Sequence, residues 1–125
     1  SYTRCIVGSV RCLSETGYTL PHMGQLYPMK TLAFFCVMMP RAVYEKVGPM
    51  DENFGRGFFE DDDYSRRIEQ QGLHLACADD VLVHHRLSAS FDKVDNSERQ
   101  ALFERNKAYY ESKWGPWTPH RYRAP

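Results

Sequence analysis

The chain has no excess of charge of either sign, since sixteen Lys and Arg balance sixteen Asp and Glu. That removes the bulk attraction by which a basic protein holds duplex nucleic acid or an anionic membrane, so neither is an expected partner. Long apolar runs are missing too. The longest, LAFFCVMMP at 32–40, falls far short of the ~20 residues a transmembrane helix needs. No CxxC pair occurs: the four cysteines, Cys5, Cys12, Cys36 and Cys77, are scattered through apolar segments. A cysteine so placed behaves as a small hydrophobe, which predicts reduced thiols in an intracellular compartment rather than a disulfide framework or a zinc site. Repeats and low-complexity tracts are also absent; the opening SYTRCIVGSV reads like the middle of a fold, so no signal peptide is expected there.

What remains is globular in composition, with 42% hydrophobic and 14% aromatic residues in 125, enough for one domain spanning 1–125. Residues 5–13 read as a strand, with a turn at SETG and a return strand from Tyr18. PHMGQLYP, 21–28, reads as a loop from its Gly and Pro. TLAFFCVMM, 31–39, has no polar face and predicts a fully buried strand. Pro40 opens a short helix that Gly48 and Pro49 stop. A second helix is expected from about Asp61 to Gln71, ending at Gly72. LHLACA and VLVHH are strand material on either side of Asp79 and Asp80. Ser97 is placed to cap a long helix, with Gln100 completing a capping box. Phe103, Asn106, Tyr110 and Trp114 then fall on one face of that helix.

The stretch GFFEDDDYSRR, 57–67, holds four consecutive acids, Glu60 to Asp63. Its plainest reading is electrostatic, because a helix start favours carboxylates by about 0.3–1 kcal/mol each. Asp62 with Arg66 and Asp63 with Arg67 stand four apart, suited to pairing along the helix surface. Against this, a flexible aromatic loop, GRGFF, delivers the acids, and binding residues commonly sit on such loops. Asp61 shares a helix face with Ile68, so a core-facing Ile68 puts Asp61 at the rim of a cleft while Asp62 and Arg66 point elsewhere. The helix start is expected to favour its ionised form, as suits a general base. His84 and His85 end an apolar strand and point to opposite faces, so one of them can face that cleft. A metal cage of Asp61, Asp63 and His85 has no recognised spacing.

Three segments in order, FFCVMMPRAVYEKVGPMDENF, FFEDDDYSRRIEQQGL and VLVHHRLSAS, resemble the second half of family 2 glycosyltransferases. The matching features are Arg41 through Glu52, then Glu60-Asp61-Asp62-Asp63 with Arg67, then His85 with Ser90. The resemblance implies an α/β chain with a partial GT-A fold: a mixed sheet of a few strands packed with two or three helices. Residue by residue, it makes Asp61 the catalytic base for an acceptor hydroxyl. Glu60 would place the acceptor or its loop, Asp63 and Arg67 would brace the helix start, and His85 would contact the metal or diphosphate. It further implies a nucleotide-sugar donor, a carbohydrate or lipid-linked acceptor, and Mn²⁺ or Mg²⁺ in the full-length enzyme. The expected location is cytoplasmic or peripheral at the inner membrane surface.

The family's N-terminal nucleotide-binding half, ending in an Asp-x-Asp metal motif, has no counterpart before Thr31. The expectation is therefore an acceptor-side piece of a longer enzyme, without a complete donor site, that binds no metal alone and self-associates through an exposed sheet edge. The absence of a Gln-x-x-Arg-Trp signature points to transfer of a single sugar. A non-catalytic module binding carbohydrate or a partner, and a small metal-dependent hydrolase, are the rival readings. The tail KWGPWTPHRYR either packs over the last helix or stacks on a sugar or grips a diphosphate.

Overall fold

The computed structural model describes residues 23–81 and 95–120. The strands expected at 5–13 and from Tyr18, and nearly all of VLVHH, lie outside these residues. In chain order the elements are β1 (Leu26–Met29), α1 (Arg41–Val47), a 3-10 turn (Glu52–Phe54), α2 (Glu60–Gln70), β2 (Leu75–Ala78) and α3 (Asn96–Trp114). The described part is thus mixed α/β, with a two-stranded antiparallel sheet in which Leu26 faces Ala78 and Met29 faces Leu75.

Two segments differ from expectation. The second half of PHMGQLYP is β1 rather than loop. Its proline, Pro28, pairs with Ala76, a position short two-stranded sheets tolerate because one side of each strand carries no ladder bonds. Conversely, 31–40 is irregular chain, not a strand. Only Leu32 of that apolar run is fully buried, while Met38 is 72% exposed. Phe34, Val37 and Met39 are partly buried against the core, so the run covers the core from one side without extending a sheet.

α1 starts at Pro40, whose carbonyl accepts from the Val43 and Tyr44 amides, and it buries Val43 and Val47. It stops at Gly48, where φ is +83° and an added Cβ would meet Arg67 Nη2 at 3.4 Å. α2 locks onto that stop. The Tyr64 hydroxyl donates to the Gly48 carbonyl at 2.8 Å and Arg67 Nη1 to the Pro49 carbonyl at 2.7 Å. Leu32, Val43, Val47, Tyr64, Ile68 and Leu75 then form one apolar cluster.

α3 is capped by Asp95, whose carboxylate accepts from the Ser97 amide at 3.0 Å. Ser97 is a donor inside the first turn rather than the cap, and Gln100 bonds Glu104 instead of closing a capping box. The apolar face follows expectation: Asn106 and Tyr110 are buried. Phe103, Tyr109 and Trp114 pack, with Trp117, against a second cluster of Phe54, Phe59 and Tyr110. Among the described residues no helix is long and apolar enough to cross a membrane.

Candidate functional site

The acidic run opens α2, and the loop that delivers it is conformationally unusual. Phe58 and Phe59 have φ of +65° and +70°, left-handed values that cost a non-glycine residue roughly 1–2 kcal/mol each. Such conformations persist where the surroundings over-determine them, often at functional sites. Here the rings are held: Phe58 meets Phe103 edge-on at 5.5 Å, and Phe59 meets Phe103 at 5.2 Å and Trp117 at 5.3 Å. The backbone is held as well. Asn106, fully buried on α3, donates its side-chain amide to the carbonyls of Phe54, Gly57 and Phe58 at 2.7, 2.6 and 3.1 Å.

Bending the chain in this way sets Glu60, Asp61 and Asp62 along one cleft and Asp63 inside the fold. Glu60 and Asp61 line a cleft of about 370 Å³ together with Phe58, Phe103, Trp117 and His120, a size within the ~300–1,000 Å³ of ligand sites. Asp61 Oδ1 accepts from the Asp62 amide at 2.9 Å. Burial, then the neighbouring charges of Asp62 and Glu60, push its carboxyl up to about 7. Glu60 moves in the same direction, chiefly through burial, and its Oε2 is buried without a hydrogen-bond partner. The expectation that the helix start keeps Asp61 ionised is therefore corrected: desolvation outweighs the helix end here.

Asp62 is also corrected. It does not point away to pair with Arg66 but is buried, accepting from Thr31 Oγ1 at 2.6 Å and facing His120 Nε2 at 2.7 Å. Arg66 turns instead to the Tyr110 hydroxyl and to Glu69. Asp63 is fully buried: Trp114 Nε1 donates to it at 2.8 Å, Lys113 Nζ contacts the same oxygen, and Arg67 lies 3.9 Å from the other. Asp63 with Arg67 thus stands at the root of α2, away from the cleft. His85, with His84 and Ser90, lies outside the described residues. The imidazole that does stand beside an acid is His120, from the tail; the tail both packs on α3 and lines the cleft.

Glu60, Asp61 and Asp62 share the cleft but do not form a metal cage. Asp62 and Asp63 are committed to other partners, and the described residues hold no cluster of three or more ligating side chains suited to a metal ion. A roomier groove of about 730 Å³ runs beside the sheet, lined by Leu26, Met29, Leu73, His74 and Leu75. Among the described residues it brings a single carboxylate, Glu69, to its lining and no aromatic wall. The smaller cleft is the candidate site because it joins aromatic walls to an acid poised near neutrality.

Thr31 and Asn106 were not legible as site residues, and His120 was so only as part of a tail that either packs or binds. Asn106 did leave a trace, a polar residue set in an otherwise apolar helical face. Comparison with protein-family models, curated proteins and solved structures finds no match to this chain.

Proposed function

We propose that this chain is the acceptor side of an inverting, GT-A-type glycosyltransferase, in which Asp61 takes the proton from an acceptor hydroxyl. The observation that carries the reading is Asp61 itself, in an aromatic-walled cleft with its carboxyl held near 7. A base is most effective when its affinity for a proton matches the working pH, being ionised in a useful fraction yet still basic. Once the hydroxyl proton passes to Asp61, the oxygen attacks the anomeric carbon of a nucleotide-sugar. The nucleoside diphosphate leaves with the bonding electrons, and configuration inverts. Phe103 and Trp117 offer apolar faces to a sugar ring, and Glu60, on the same cleft, is suited to orienting an acceptor hydroxyl. Most of the donor site, and the carboxylates that would hold Mn²⁺ or Mg²⁺, would come from a nucleotide-binding half.

The test is sugar transfer from nucleotide-sugar donors, with Mn²⁺ or Mg²⁺ present, in a protein carrying this segment joined to a donor-binding half. Asp61→Asn should lower the rate by ~10²–10⁴, the range of general-base contributions. The native rate should climb with pH as the Asp61 carboxyl ionises near 7. A near-normal rate for Asp61→Asn would overturn the reading. The aromatic lining also suits a module that binds carbohydrate without turnover. Under that alternative, Trp117→Ala weakens glycan binding while Asp61→Asn leaves it intact and no transfer occurs.

A further inference from the structure

We propose that Asn106, on α3, is the positioning residue of this site: by clamping three loop carbonyls it fixes the turn that presents Glu60 and Asp61 to the cleft. This rests on the reading of Asp61 as the base, and extends it to a residue that touches neither acid nor acceptor.

The segment 54–58 folds back on itself and aims the Phe54, Gly57 and Phe58 carbonyls inward, toward α3. Buried carbonyls need partners, because an unsatisfied one costs about 1–3 kcal/mol. All three lie 2.6–3.1 Å from Asn106 Nδ2, whose two N–H groups serve them with one proton shared between two carbonyls. The amide is itself oriented, since Asn106 Oδ1 accepts from Arg105 Nε at 3.0 Å and Nη2 at 2.9 Å. Arg105 Nη2 also reaches the Phe54 carbonyl at 3.2 Å. With its oxygen occupied by a guanidinium, the side chain has only its NH₂ to offer the loop. Gly55, at φ +67°, lets that arrangement close, because a Cβ there would stand 3.3 Å from Arg105 Nη2.

The loop needs this clamp because its own conformation is unfavourable. Two consecutive phenylalanines at positive φ relax toward ordinary backbone angles if nothing opposes them. Phe59 is the residue immediately before α2, and its carbonyl accepts the Asp63 amide. Relaxation there re-aims the first turn, so Glu60 and Asp61 leave the aromatic wall for water. The clamp, on one helix, thus sets the surroundings of a carboxyl on another.

The carboxyl itself gives a readout that needs no substrate. With ¹³C-labelled aspartate, Asp61 in the native chain should titrate near 7. In Asn106→Ser, which removes the amide without adding bulk, the midpoint should fall by about one pH unit or more as water reaches the group. Arg105→Met, a change at an exposed residue, should lower it by a smaller amount because the amide loses its orientation. An unshifted midpoint in folded Asn106→Ser overturns the proposal; if that variant does not fold, an unshifted Arg105→Met does so. In the transfer assay, both variants should lower kcat with little change in KM and move the pH–rate profile to lower pH. Should Asp61→Asn retain full transfer while the midpoints still move, the base reading fails and the clamp stands.

Discussion

At the scale of single residues, the four acids show how little a formal charge says before its surroundings are known. Asp51, outside the run, is held well below the usual carboxylate range by its hydrogen bond from Lys113, whereas Asp61 is pushed up to about 7. The sign for Asp61 is the less common one. Below its ordinary value of 3.8 both folded and unfolded chains hold the proton. Between 3.8 and about 7 the unfolded chain releases it while the folded chain keeps it, so Asp61 makes stability fall as pH rises. Above that window the folded protein carries the full cost of a partly desolvated carboxylate. Asp61→Asn should therefore stabilise the fold at pH 8, on the order of 2 kcal/mol, and leave it nearly unchanged at pH 3.5. Urea midpoints at the two pH values measure this. An equal effect at both would mean that Asp61 is not held in its neutral form by the fold.

At the scale of elements, the joint between α2 and α3 decides where the acids end up. Asp63 at the root of α2 is met by Lys113 and Trp114 from the last turn of α3, and Lys113 continues to Asp51 at 2.8 Å. A carboxylate with no exposed surface depends on such partners. Lys113→Met should cost about 2 kcal/mol, less than the ~3–5 of a wholly buried pair because Lys113 keeps a face in solvent. The loss should shrink as pH falls through the ordinary carboxylate range, because Lys113 holds the Asp51 carboxyl below that range and its removal gives up this stabilisation. Thermal unfolding across pH reads this, and a loss independent of pH would show packing rather than charge at work. Local signals were enough to find α1, α2 and α3, because proline, glycine and helical spacing all act within a few residues, although the cap of α3 is Asp95 and not Ser97. They failed where the partner is distant. Pro28 is read as loop until Ala76 appears opposite it. The apolar run at 31–39 satisfies a strand pattern, yet only Leu32 reaches full burial. Asp62 looked like half of a surface pair with Arg66, because neither Thr31 nor His120, far away in sequence, advertises that it will arrive. Asp61 was legible as a rim residue from its spacing to Ile68, but its protonation was not, since desolvation is a property of the assembled cleft.

At the scale of the whole molecule, α2 joins two apolar clusters. Its middle, Tyr64 and Ile68, belongs to the one built with α1 and β2, and Phe59 at its entry belongs to the one built on α3. The cleft opens where those clusters meet, and the tail after Gly115 closes it. Trp117 packs on Phe59 and Phe103, its amide donates to Glu111 at 3.0 Å, and His120 reaches Asp62. Truncating Trp117 to alanine should therefore do two things together. Stability should fall by about 2–3 kcal/mol, somewhat under the ~3–5 of a fully buried aromatic, because the ring keeps some exposure. The Asp61 midpoint should also drop, because the wall that excludes water from its carboxyl is gone. Thr118→Ala, on the same segment but exposed, should alter neither. If Trp117→Ala lowers stability and leaves the Asp61 titration in place, the tail is packing for α3 alone, and the dry surroundings of the acid come from the loop and Phe103.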